Sequence, residues 1–530
     1  MNTRLFSLAV AALALATTSA TYAQQPKSGG ILRMYHRENP PSMSIHEEAT
    51  YSVNVPAMPI FSNLVLFDQH KPQNNVDSLT PELATSWSWS EDKKALIFKL
   101  REGVKWHDGK PFTSADVKCT FDMLQGKSQN KFRKNPRKDW YFNLDQVTAD
   151  NPMQATFHLK RPQPAILAML ASGYTPIYPC HATAAQQRTN PIGTGPFKFV
   201  ELKQNESIKL VKNPDYWHKG LPYLDGIEYT IIPNRSTAIL GFVADKFDIT
   251  FPTEVSIPLM KDVKSQKSDA VCVLAQTNVA TNLIMNREAP PFNDENVRGA
   301  LALSLDRKAF LDIMFEGKSV IGGALLPPPN GVWGLPAEEL KNVIGYGDVK
   351  KNREEARKLM EKAGYGPDKH LALKVSTRNL AVYRDPAVIL IDQLKDIYVD
   401  GDLDVVESGI WFAKVARKDY QIGLNLTGAG IDDPDQTFYE NFGCGSERNY
   451  TNYCNKDLQA QFDAQSQETD VAKRKKLAWE IDTKLQEDVA RPILYHSDQG
   501  TCWAPYVKNI TIMTNSSYNG FRFEDVWMDK

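Results

Sequence analysis

No charge of one sign dominates this sequence. Its 62 lysines and arginines stand against 63 aspartates and glutamates, a formal net charge of −1. A nucleic-acid binder held by phosphate neutralisation needs a basic surplus, so that class is excluded. Glycine and proline number only 30 and 32 of 530 residues, too few for a collagen-like or low-complexity chain. No repeat or heptad run is present. The six cysteines form no C-x-x-C pair, which weakens zinc-ribbon and thioredoxin readings. A mean hydropathy of −0.41 argues against a polytopic membrane protein.

Catalytic signatures are missing as well. Gly317-Lys318-Ser319 resembles the end of a phosphate loop, but the first glycine of that loop would fall on Asp312. Gly193-Thr194-Gly195 runs into Pro196 and lacks the third glycine of a dinucleotide fingerprint. His46-Glu47 has Thr50 where a metalloprotease helix needs its second histidine. No G-x-S-x-G elbow occurs. The histidines are scattered singly, and a lone histidine is more often a hydrogen-bonding residue than a ligand. Asp432 and Asp433 are adjacent, but adjacency does not make an acid/base pair. No catalytic residue, metal or cofactor is therefore expected. A secreted hydrolase of peptides or glycans stands as the alternative function.

What the chain does have begins at its start. Arg4 precedes an apolar run, Leu5 to Ala16, too short to span a hydrocarbon core of ~30 Å. Small residues follow, and Thr21-Tyr22-Ala23 fits a cleavage site. Residues 1–23 thus read as a secretory signal peptide, cleaved near Ala23. In an exported protein an even cysteine count favours disulfides. Cys444 and Cys454 flank a short Gly-, Asn- and Ser-rich loop and are the safest pair. The partners among Cys119, Cys180, Cys272 and Cys502 stay open at this point.

Helices and strands alternate unevenly, which predicts a mixed α/β chain. Ser86 to Leu100 reads as a hairpin around a polar turn at Glu91 to Lys94. Thr113, three residues before Asp116, predicts a capping box and a helix. Further helices are predicted over Asp294 to Phe310, over Asn352 to Ala363 with Asn352 as its cap, and over Asp470 to Glu487. The basic run Lys127 to Lys138 reads as a solvated loop.

The stretch PELATSWSWSEDKKALIFKLREGVKWHDGKPFTSADV, Pro81 to Val117, resembles the signature of family-5 extracellular solute-binding proteins. GTGPFKFVELKQNESIKLVKNPDYW, DKFDIT, PPFNDENVRGALALSLDR and the terminal YNGFRFEDVWMDK are similar to later segments of the same family, in the same order. The resemblance implies a two-lobed periplasmic binding protein of class II, a Venus flytrap, with an inserted subdomain in the first lobe. On this chain the first-lobe core would be 24–62, 191–276 and 496–530, the insertion 63–190 and the second lobe 277–495. It implies a monomer in the periplasm that captures a peptide-like or related small solute and hands it to the permease subunits of an ABC importer. This placement also suggests the pairs Cys272–Cys502 and Cys119–Cys180.

The family binds its solute between the lobes, beside a glycine-rich strand end. The matching stretch here supplies Asn425, Thr427, Gly428, Gly430 and Asp432 as candidates. Peptide-binding relatives hold the peptide amine with an aspartate. Counting back from Pro434, that position is Gly430, so amine recognition is in doubt unless Asp432 has taken over. Trp411 on the second lobe, Trp503 beside the hinge, and Tyr35 and His46 after the first strand complete the expected set. For each of these aromatic and histidine positions, packing is the commoner role.

Overall fold

The computed structural model describes residues 25–530. The expected signal peptide lies outside the described residues. The first strand, Ile31–His36, alternates buried and exposed positions at its start and is wholly buried at its end. It pairs in parallel with Gly226–Ile231, the second strand of a four-stranded sheet completed by Ser207–Lys212 and Phe197–Lys203. A parallel pair cannot be closed by a tight turn. Here the crossover includes a second four-stranded antiparallel sheet, in the order Ala84–Trp89, Ala95–Leu100, Gln154–Leu159, Leu144–Asn151. The expected hairpin is its first pair. The expected capping box of Thr113 and Asp116 opens the helix Ser114–Leu124. One continuous apolar cluster joins the two sheets, from Leu32 and Tyr229 through Phe98, Phe157 and Val117 to Phe521 and Met528.

A five-stranded mixed sheet organises the other half, in the order Val399–Val406, Leu371–Arg378, Ile422–Gly428, Val271–Met285, Ile493–Trp503. Its core gathers Leu283, Met285, Leu301, Phe310, Leu373, Leu424 and Tyr495. The chain is thus a two-lobed α/β protein.

Two strands belong to both lobes. Val271–Met285 and Ile493–Trp503 run antiparallel for most of their length. Ala275 and Cys502 pack in the first core, whereas Leu283 and Leu494 pack in the second. Between Gln276 and Ala280 the register slips, and Asn278 takes a φ of 51° there. A bulge of this kind bends a strand pair where the chain crosses from one lobe to the other.

Three sequence expectations need correction. The helix expected over Asp294 to Phe310 is two helices, Glu295–Ser304 and Arg307–Phe315. Asp306 breaks it, because its side chain caps the second helix through the Ala309 amide. The helix expected to begin at Asn352 begins at Val349, capped by Asp348. The basic run is not simply solvated. Arg137 is 1 % exposed, donates to the carbonyls of Ile45 and Glu48, and stacks 3.7 Å over the Tyr174 ring. Lys134 pairs with Glu48 at 2.8 Å.

Candidate functional site

The strands Ile31–His36, Leu371–Arg378 and Ile422–Gly428 end at a cleft between the lobes. Open α/β sheets place ligands outside the carboxyl ends of their strands. Here those ends deliver Arg37, Arg378 and Gly428 to one space of about 680 Å³, part of it open to solvent. Tyr51, Thr253, Gln499 and Tyr518 line it from the first lobe, and Tyr383, Phe412, Asn425 and Arg448 from the second.

The lining holds three arginines and no carboxylate. Each guanidinium is steadied from behind. Arg37 donates to Glu254 at 3.1 Å and to Ser52 at 3.1 Å, and sits 5.6 Å over the Tyr51 ring. Arg378 donates to Tyr383 at 2.8 Å, to Ser408 at 2.9 Å and across the cleft to Glu38 at 2.7 Å. Arg448 pairs with Glu440, and its Nε has no hydrogen-bond partner. Burial alone would lift the Glu38 carboxyl, but Arg378 and Arg37 outweigh it and hold the group at about 2. Burial would likewise depress Arg378 and Arg448, yet Glu38 and Glu440 keep both raised. The cleft therefore presents three guanidinium donors, each charge-paired with Glu254, Glu38 or Glu440, among aromatic rings.

Gly428 and Gly430 act differently from each other. A Cβ on Gly428 would lie 1.9 Å from the Tyr518 hydroxyl, so glycine lets that ring close on the strand end. A Cβ on Gly430 would meet Ser172 Oγ at 2.8 Å and Trp140 at 3.1 Å. The space an amine-binding aspartate would need is filled from the inserted subdomain. Asp432 does not replace it. Its carboxylate accepts from the Val332 amide at 3.0 Å and from Asn515 at 3.3 Å, outside the cleft lining, and burial lifts it to about 7.

Of the expected residues, only Asn425 and Gly428 line this cleft. Thr427 borders a smaller neighbouring cavity. Tyr35 is fully buried against Phe247, because this end of its strand is covered on both faces. His46 donates from Nε2 to the Pro176 carbonyl, 2.8 Å away, and packs on Tyr178, so it too is a core residue. Trp411 is fully buried among Ile284, Val406, Val415, Tyr420 and Tyr450. On that helix the next residue, Phe412, reaches the cleft instead. Trp503 lies opposite Val271 in the first lobe, away from the cleft. The arginines were missed, although each strand end offered a signal. Arg37 directly follows the first strand and Arg378 ends an alternating run, LALKVSTR.

The cysteines pair as Cys119–Cys180, Cys272–Cys502 and Cys444–Cys454. Among the described residues no cluster of three or more His, Cys, Asp or Glu is placed to hold a metal, and no helix is long and apolar enough to cross a membrane.

A two-lobed α/β fold with a lined cleft at its hinge defines a solute-binding protein. The chain belongs to the bacterial extracellular solute-binding proteins of family 5, whose middle-region model matches residues 78–449. It is 25% identical over 492 residues to a probable di/tripeptide-binding protein of Pseudomonas aeruginosa, covering 86% of this chain and 87% of that one. Its fold is similar to that of the periplasmic binding protein DppA of Helicobacter pylori in complex with the peptide STSA, with a TM-score of 0.83, 22% identity, and 95% and 99% of the two chains covered. It is similar also to AgaA of A. tumefacien in complex with agropinic acid, with a TM-score of 0.81, 21% identity, and coverage of 94% and 99%. The hydrolase alternative finds no support in this family.

Proposed function

We propose that the protein captures an acidic small solute in the interlobe cleft and delivers it, in the periplasm, to the permease of an ABC importer. The observation that carries this reading is the cleft lining, with Arg37, Arg378 and Arg448 and no carboxylate. Relatives are named for peptides or solved in complex with agropinic acid, so both solute types fall within reach of the fold. The filled space beside Gly430 favours a solute without a free α-amine, such as an N-blocked peptide or a sugar–amino-acid acid. Asn425 and Gly428 are taken as its second-lobe contacts. The division into 24–62, 191–276 and 496–530, with 63–190 inserted and 277–495 as the second lobe, fits the two cores. A monomer released by cleavage near Ala23 completes the reading.

Native mass spectrometry of the purified protein tests capture directly, because a retained solute appears as added mass. Calorimetry with a dipeptide, its N-acetyl form and its C-terminal amide tests the chemistry. The acetyl form should bind at least as well as the free peptide. The amide should lose ten- to over a hundred-fold, since a charge-assisted hydrogen bond contributes ~1.5–3 kcal/mol. Tight binding that requires the free amine would overturn the proposal.

A further inference from the structure

A second, smaller cavity adjoins the main cleft at Gly428. Asn278, Ala280, Asn282, Thr427, Asn441 and Arg491 contribute to its lining. Ala280 faces Thr427 across the strand pair, and Asn282, on the same face, lies opposite Asn425, which reaches the main cleft. Val279 and Leu426 belong to the main cleft, and Gly428 borders both spaces.

Arg491 sets this cavity apart. It is 2 % exposed, yet it donates to neutral oxygens, Thr427 Oγ1 at 3.2 Å, Asn441 Oδ1 at 3.1 Å and the Arg448 carbonyl at 3.0 Å. Its Nε has no partner. Phe442 and Tyr450 flank the guanidinium at 5.7 and 5.6 Å. The nearby carboxylate of Glu440 is already paired with Arg448. A buried charge is ordinarily paired, because leaving it alone costs several kcal/mol. Burial pulls this guanidinium down to about 10, with Arg448 adding repulsion. Arg137 also lacks a carboxylate, but Tyr174 covers it and three carbonyls receive it. Arg491 instead borders open space.

We propose that this cavity is a small-anion site, in which a halide or a carboxylate-sized oxyanion sits against Arg491 beside the hinge strand. The hydroxyls of Thr427 and of Thr437, which also lines the cavity, and the Asn441 amide supply the remaining donors. A lone water could bridge Arg491 Nε and the unpartnered Asn282 Oδ1, but it would leave the charge uncompensated. The anion could be a free ion or an acidic end of the solute. The site stands on Arg491 and its cavity, independently of what the main cleft binds.

The test uses the full-length mature protein. Crystals grown in bromide and measured at the bromine absorption edge should show an anomalous peak against Arg491. In solution, replacing gluconate by chloride at constant ionic strength should raise the melting temperature by about 2–4 °C. Thr437→Val keeps Arg491 and its Asn441 acceptor and should weaken both responses while melting like the parent in gluconate. A peak in solute-free crystals identifies the free ion as occupant. Density in the cavity continuous with a co-purified solute identifies the acid end of that solute. Either supports the site. Water alone in both crystals, with equal melting in chloride and gluconate, overturns it. Failure of acids to bind the main cleft would leave the bromide result untouched, so the two proposals fail separately.

Discussion

Glu38 of the first lobe and Arg378 of the second meet at 2.7 Å across the cleft. Ser408 and Ser52 donate to the same carboxylate, and Arg37 approaches it from the side at 4.0 Å. The pair therefore ties the lobes together beside the solute space, through groups that are nearly dry. Its members come from the loop after one strand and the end of another, 340 residues apart in sequence.

The first prediction is a pH dependence. Glu38 is held at about 2 in the folded protein, below its ordinary value of 4.5. Stabilisation from this group is thus complete above about pH 4.5 and lost as pH falls toward 2, on the order of 3 kcal/mol in all. His36, lowered by burial to about 4, acts in the same direction at higher pH, from 6.5 downward. Urea unfolding between pH 6 and 2.5 should show the loss. The double variant Glu38→Gln, Arg378→Met should lack the part below pH 4.5. Small-angle scattering should show the parent, but not the variant, expanding over that interval. An unchanged slope in the variant would refute the role of the pair.

The second prediction separates two neighbours on one helix. Trp411 is a core residue and Phe412 lines the cleft. Trp411→Ala should cost about 3–5 kcal/mol of stability by leaving a cavity. Phe412→Ala should leave the melting temperature near that of the parent and weaken capture of the N-acetyl dipeptide probe about tenfold, equivalent to ~1.4 kcal/mol. The reverse assignment in calorimetry and thermal melting would show the helix to be rotated from its place here.

These two residues also show what the sequence could and could not tell. The family segments, the hairpin and the Thr113 cap depend on local pattern, and local pattern is written in order along the chain. The site depends on which face of a strand or helix points inward. Tyr35 and Trp411 were chosen by type, and the core claimed both. Arg37 and Arg378 were legible from position, as residues at the carboxyl ends of strands. Their partners Glu254 and Glu38 were not, because the Arg37–Glu254 contact spans 217 residues and the Arg378–Glu38 contact 340.

The third prediction concerns Gly430. An aspartate there would place its Cβ 2.8 Å from Ser172 Oγ and 3.1 Å from Trp140. Gly430→Asp should destabilise the protein by about 1–3 kcal/mol through overpacking. It should not create affinity for the free amine of a dipeptide. Gly430→Asp combined with Ser172→Gly should recover part of the lost stability. A gain in amine-dependent binding by the single variant would show that the space is open after all.

The last prediction concerns the staple at the hinge. Cys272 and Cys502 face each other across the two strands that cross between the lobes, and their bond spans 230 residues of sequence. Chain-entropy arguments give such a long closure about 5 kcal/mol of stabilisation. Cys444–Cys454 spans only 10 residues and should contribute less. Cys272→Ser with Cys502→Ser should therefore lower the urea midpoint more than Cys444→Ser with Cys454→Ser. The first pair of substitutions should also expand the solute-bound protein in scattering, because it loosens the strands that both lobes share. Thiol labelling of the denatured parent without reductant should find no reactive cysteine. Full labelling of Cys272 and Cys502, or an equal effect of the two double variants, would remove the staple from the account of the hinge.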